Sequence, residues 1–152
     1  MNSMALSYKG GKESDIILHQ FLYLDPFVFH INISNEFPEI IEHIKYIEKL
    51  YNIVILKFNI LDDAIDYIKQ KHCYTIVMGN KKTDIGWANK QTSIKMGPKH
   101  PMITSYNPLY EWSYKEVWNY ITREEIPVCK LYEYGYTSIS TSLNTFPNYF
   151  LF

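Results

Sequence analysis

Apolar positions along this chain recur in two alternating rhythms. Met4 to Tyr8 is a short, mostly apolar run, and from Lys12 to Leu24 the residues Ile16, Ile17, Phe21 and Leu24 fall on one side of a helix. Phe27 to Ile33, bounded by Pro26 and by Ser34-Asn35, reads as a strand. Residues 35–51 place Pro38 at a helix start and repeat Ile40, Ile41, Ile44, Ile47 and Leu50 at helical spacing. Ile53 to Phe58 predicts a third strand, and Leu61, Ala64, Ile65 and Ile68 mark a further helix. YTIVMG, residues 74–79, predicts a fourth strand.

Strict strand–helix alternation with crossovers of this length predicts a mostly parallel sheet with helices on both faces. The nearly continuous apolar character of the strands fits burial on both sides. The second half breaks the rhythm. Residues 80–107 carry lysines, prolines, Asp84 and Trp87 without periodicity and read as a long irregular loop, a kind that is usually functional or disordered. Ser113 and Glu116 form a capping box before Val117, Trp118 and Ile121, so a helix runs to about Glu125. From Pro127 onward the chain is rich in Tyr, Ser, Thr and Asn and predicts an irregular C-terminal segment. With 152 residues and no internal repeat or linker, a single domain over 1–152 is expected.

Composition narrows the function classes. A formal net charge of −1 supplies no basic field for nucleic acid or an anionic membrane surface. No apolar run approaches the length of a membrane span. Cys73 and Cys129 stand far apart and share no metal-ligand spacing with the scattered histidines, which predicts a reducing, cytoplasmic setting without disulfide or zinc site. No nucleophile–His–Asp set is evident.

The candidate chemistry begins at SYKGGKES, residues 7–14, where the first strand hands over to the first helix. Glycine-rich turns at this place in a parallel sheet direct backbone N–H groups and a helix N-terminus at one spot, which suits phosphate. Gly10 and Gly11 permit close approach, Ser7 and Ser14 add hydroxyls, and Lys9 and Lys12 add charge. The spacing is neither a Walker loop nor GxGxxG. A plain turn is the alternative that the glycine pair alone would favour.

SYKGGKES resembles the SxGGKDS-like loop of the PP-loop pyrophosphatase superfamily, and later segments sharpen the likeness. MGNKKTD (78–84), NPLYEWSYKEVWNYI (107–121), IPVCKLYEYGYTSIS (126–140) and NTFPN (144–148) are similar, in order, to segments of eukaryotic-type FAD synthases, a branch of the phosphoadenylyl-sulfate reductase-like superfamily. The resemblance implies a Rossmann-like adenine nucleotide alpha hydrolase fold. It also implies transfer of AMP from ATP to FMN, giving FAD and pyrophosphate, usually with Mg²⁺. By the same resemblance Ser7, Tyr8, Lys9, Gly10, Gly11, Lys12 and Ser14 would hold ATP at its pyrophosphate end. Glu13 and Asp84 would be the catalytic carboxylates, Glu13 also the metal ligand. Lys81, Lys82, Thr83, Asp84 and Trp87, with Gly135, Tyr136, Thr137 and Ser138 of the GYTS turn, would face the flavin and its phosphate.

Departures from that pattern are concentrated near the charges. Lys9 replaces asparagine, Glu13 replaces aspartate, and Lys81 and Lys82 replace residues that are more often Arg or His. Gly97 and Ser105 stand where the family offers a second Thr-Asp and an Arg, and Ser140 replaces a glycine. A preceding helix and an arginine-containing C-terminal region are expected to be missing, so the domain reads as shortened at both ends. A nucleotide- or flavin-binding homologue with reduced catalysis is therefore the alternative function. Phosphoadenylyl-sulfate reduction needs a nucleophilic cysteine in a Glu-Cys-Gly-type tail segment, and the tail after Cys129 has none.

Overall fold

The computed structural model describes residues 4–84, 86–137 and 139. A six-stranded sheet of order β3-β2-β1-β4-β6-β5 forms the centre. β1 (Ala5–Ser7), β2 (Phe27–Ile31), β3 (Leu56–Phe58) and β4 (Thr75–Val77) are the strands expected from the apolar runs, each shorter than the run. They and β6 (His100–Tyr106) are parallel; β5 (Ser93–Met96) is antiparallel and lies at the edge. Alternate side chains enter two cores. Leu6, Val28 and Val77 pack with α1 (Lys12–Phe21), α2 (Pro38–Tyr51) and α4 (Tyr114–Glu124). Ala5, Phe29 and Ile76 pack on the other face with Ala64, Ile65 and Ile68 of α3 (Leu61–Gln70).

Local chemistry sets the boundaries. α1 stops at Phe21 rather than Leu24, and Leu22–Leu24 tighten into a 3-10 turn. Asp25, which precedes Pro26 and is disfavoured in helical conformation, closes it at φ 52°. β3 starts at Leu56, not Ile53, because residues 53–55 still form the exit from α2. Asn52 caps that helix at φ 53°, the Ile53 N–H donates to the Glu48 carbonyl (3.0 Å), and the Ile55 N–H donates to the Glu48 carboxylate (2.9 Å). The expected capping box at Ser113 and Glu116 forms, with both reciprocal hydrogen bonds.

The 80–107 stretch departs from expectation: its second half is a β-hairpin. Gly97 takes φ +74° in the turn, and a register shift at Lys95/Met96 absorbs the irregularity beside Pro101. β6 then slots between β4 and the edge, pairing Thr75 with Thr104 and Val77 with Tyr106. No helix among the described residues is long and apolar enough to cross a membrane.

A buried polar network fastens the first turn of the fold to α2. The Tyr8 hydroxyl, at the end of β1, donates to Asp15 of α1 (2.5 Å), and the second oxygen of Asp15 lies 2.8 Å from Nε2 of His43 on α2. Burial raises the Asp15 carboxyl from 3.8 to about 6, against the opposing pull of His43 and the Tyr8 hydrogen bond. A folded-state value above the unfolded one makes a contribution that is present below the unfolded value and lost as pH rises through about 6. Asp15→Asn keeps an acceptor for Tyr8 and removes the titration. Urea denaturation between pH 4 and pH 7 is expected to show a less negative slope of stability against pH in the variant than in the wild type. Equal slopes would refute the assignment.

Candidate functional site

The sheet order reverses between β1 and β4, and a crevice opens there above the carboxyl ends of the strands. One cleft of ≈ 660 Å³ fills it. The β1–α1 loop forms its floor. Ser7 ends β1, the Lys9 N–H donates to Ser14 Oγ (2.8 Å), and Gly11 caps α1 with no side-chain hydrogen bond. Gly10 is required twice over. Its φ is +83°, and a Cβ there would stand 2.8 Å from Cγ2 of Ile40. The first N–H groups of α1 have no intrahelical partners, so they and the helix dipole make this floor electropositive.

Gly79 brings the other wall close. It follows β4, and a Cβ on it would fall 2.8 Å from Cβ of Glu13, so only glycine lets strand end and helix start meet. Beyond it, Asn80 is held by the Asn107 side chain (3.1 Å), which in turn donates to Ser105 Oγ (3.0 Å). The Lys81 N–H donates to the Asp84 carboxylate (2.8 Å). The loop carrying Trp87 is pinned from outside: the Tyr110 hydroxyl lies 2.6 Å from the Trp87 carbonyl and 2.7 Å from that of Lys90.

Charge is concentrated on Glu13. One of its oxygens lies 3.0 Å from the ammonium of Lys12 and 3.0 Å from that of Lys81; the latter is also 3.6 Å from Asp84. Burial alone would raise the Glu13 carboxyl, but the two lysines outweigh it and hold it below the usual range. Lys12 is only 1% exposed, and burial lowers its ammonium despite Glu13. That ammonium also donates to the Thr137 carbonyl (2.6 Å) and lies over the rings of Tyr132 and Tyr114.

The structure brings Ser7, Lys9, Gly11, Glu13 and Ser14 onto one cleft with Lys81, Thr83, Asp84 and Trp87, although some 70 residues separate the two groups in sequence. Tyr8, Gly10 and Lys12 shape the floor from beneath and are not among the lining residues. Lys82 turns outward to Glu111 (2.7 Å). Gly135 closes a 3-10 turn at φ 92°, Tyr136 packs edge-on against Phe37, and Thr137 meets Lys12 through its carbonyl. Ser138 and Ser140 lie outside the described residues.

Sequence reasoning passed over the β2 side of the cleft, where His30, Ile31, Ile33 and Glu36 line the wall. His30 Nδ1 lies 2.8 Å from the Tyr8 carbonyl, which can only accept, so this nitrogen carries hydrogen; Nε2 faces Glu36 at 2.9 Å. The signal available in sequence was a histidine within an otherwise apolar strand that ends at the same sheet edge as β1.

Removing the Glu13 charge leaves Lys12 and Lys81 without their shared partner. Glu13→Gln is expected to cost about 3 kcal/mol in urea denaturation at pH 7. Because the Glu13 value is depressed in the folded state, the loss should shrink as pH falls through that value and wild-type Glu13 itself protonates. An unchanged midpoint at pH 7 would contradict the pairing.

Residues 57–147 match the model of the phosphoadenosine phosphosulfate reductase domain. A Probable FAD synthase of Caenorhabditis elegans is 30% identical over 158 residues, covering 95% of this chain and 30% of that protein. A Probable FAD synthase of Schizosaccharomyces pombe is 25% identical over 163 residues, covering 95% of this chain and 61% of that protein. The chain thus spans about a third of the nematode relative's length. The crystal structure of Candida glabrata FMN adenylyltransferase in complex with ATP superposes with a TM-score of 0.84 at 22% identity, over 97% of this chain and 55% of that one, and so shares the fold. With the matched segment running from β3 through the cleft wall into the C-terminal turn, the chain belongs to the phosphoadenosine phosphosulfate reductase domain family.

Proposed function

We propose that this domain is an FMN adenylyltransferase, transferring AMP from ATP to FMN to give FAD and pyrophosphate. The observation that carries the reading is the convergence of the glycine loop and the Lys81–Asp84 segment on one cleft at the sheet's switch point. Relatives bearing the name FAD synthase align across nearly the whole chain and support it. In this reading an FMN phosphate oxygen attacks the α-phosphorus of ATP. The bond from that phosphorus to the bridging oxygen breaks, and pyrophosphate leaves with the electron pair. No side chain forms a bond, so the protein contributes alignment and charge. The N–H groups around Gly11 and the start of α1, with Lys9, Ser7 and Ser14, receive the departing pyrophosphate.

Lys81 reaches the transferred phosphoryl by exchanging its carboxylate partners for phosphate oxygens. Lys12 acts from beneath, through Glu13. Trp87 offers the flavin a ring face, with Thr83 beside it, and Gly135, Tyr136 and Thr137 would serve the flavin phosphate. Lys82, paired with Glu111, contributes at the rim. Glu13 and Asp84 fit a Mg²⁺ ion: both carboxylates already face one shared cation, Lys81, and this metal typically takes one or two carboxylates plus substrate phosphates. When bound, it would neutralise charge building on the phosphates. A cytoplasmic setting is supported by two cysteines that form no disulfide.

Reduction of phosphoadenylyl sulfate, the other chemistry named in the family, finds no support at the cleft. Cys73 and Cys129 are buried outside it, and burial raises both thiols, the opposite of what a nucleophilic thiolate needs. A second reading, a flavin- or nucleotide-binding protein with weakened turnover, is favoured by Ser105. At the position where the family offers charge, it is buried against Met78 and Asn107 and presents nothing to the cleft.

Incubation with ATP, Mg²⁺ and FMN should yield FAD and pyrophosphate in equal amounts, followed by chromatography and a pyrophosphate assay. Lys81→Met is expected to lower kcat about a hundredfold. Binding of FMN and ATP by calorimetry without any FAD would replace the first reading by the second.

A further inference from the structure

Tyr132 lies within the 126–140 segment, where sequence reasoning assigned it no role, and its hydroxyl sits at the start of α1. It lies 2.7 Å from the Lys12 amide nitrogen, the first residue of that helix, and accepts its hydrogen. It also lies 3.4 Å from where a Cβ on Gly11 would stand, next to a residue that lines the cleft. The ring is held from two sides. Trp118 meets it edge-on at 5.3 Å between centroids, and the Lys12 ammonium lies 5.3 Å from its centre. A phenol oxygen that accepts an amide hydrogen has its own hydrogen left to donate, and accepting polarises it into a better donor. Burial, with Glu13 nearby, pushes this phenol well above 10, so it keeps that hydrogen at neutral pH.

We infer that Tyr132 is a further phosphate-binding residue, whose hydroxyl takes the Lys12 amide as its donor and gives its own hydrogen to the terminal diphosphate of the nucleotide at Gly11. The inference rests on the proposed use of this loop for the pyrophosphate end of ATP. It adds a donor from the C-terminal segment to a floor otherwise made of main chain, lysine and the hydroxyls of Ser7 and Ser14. It also gives Tyr132 of the 126–140 segment a chemical purpose beyond packing. Holding the hydroxyl by an amide and the ring by Trp118 means that little side-chain freedom is lost when the anion arrives.

The test uses inorganic pyrophosphate with Mg²⁺ as probe, titrated calorimetrically into the whole chain carrying Tyr, Phe or 3-fluorotyrosine at position 132. Tyr132→Phe should bind pyrophosphate about tenfold more weakly. The fluorinated residue, whose hydroxyl is the stronger donor, should bind at least as tightly as wild type. FMN affinity should be the same in all three. Pyrophosphate affinity that is absent in wild type or indifferent to position 132 overturns the inference. So does a fluorotyrosine variant as weak as the phenylalanine one, or an equal loss of FMN binding, which would mark structural damage. If the expected order holds but wild type makes no FAD, the adenylyl-transfer reading falls and Tyr132 keeps its role. If wild type makes FAD while the pyrophosphate affinities coincide, the reverse follows.

Discussion

The site depends on one carboxylate held between two ammonium groups. Glu13 joins the first turn of α1 to the loop after β4 through Lys81, and to the C-terminal segment through Lys12 and the Thr137 carbonyl. Three stretches remote in sequence are fixed to one another by charges that sit largely out of water. Such pairing has a desolvation cost that often equals its Coulombic gain, so its benefit lies less in net stability than in position.

Beneath this charged layer the loop is shaped by groups that never face the cleft. Tyr8 is the centre of that support: its carbonyl faces His30, its N–H donates to Phe29 and its hydroxyl donates to Asp15. Gly10 rests against Ile40. The N–H groups at the start of α1 are thus held in place by the core side of the loop.

The parallel core was legible because period and apolarity agree there: β1 to β4 and α1 to α4 fall where the pattern places them, and so does the capping box at Ser113. The hairpin was not. β6 has its apolar contacts mainly through Ile103, includes Pro101, and relies on pairing with β4 and β5 that no local pattern encodes. At the site, Ser7 was readable as a hydroxyl at the end of the first strand, whereas Glu13 and Lys81 came from the resemblance to a family. His30 and Glu36 were hidden because their importance comes from the β1–β2 neighbourhood, and Tyr132 because an aromatic residue near a helix resembles core filling. Lys12 was read for its charge, whereas the fold uses that charge from below.

The division between a shaped floor and a charged lining has an evolutionary reading. Gly10, Tyr8, Asp15 and His43 determine the curve of the loop from the core side, while Lys9 stands exposed on the opposite side. A lineage can therefore exchange an asparagine for a lysine at that exposed position and leave the curvature intact. The exposed charge and the buried curvature of the loop are thus set by different residues, so drift in one need not erode the other.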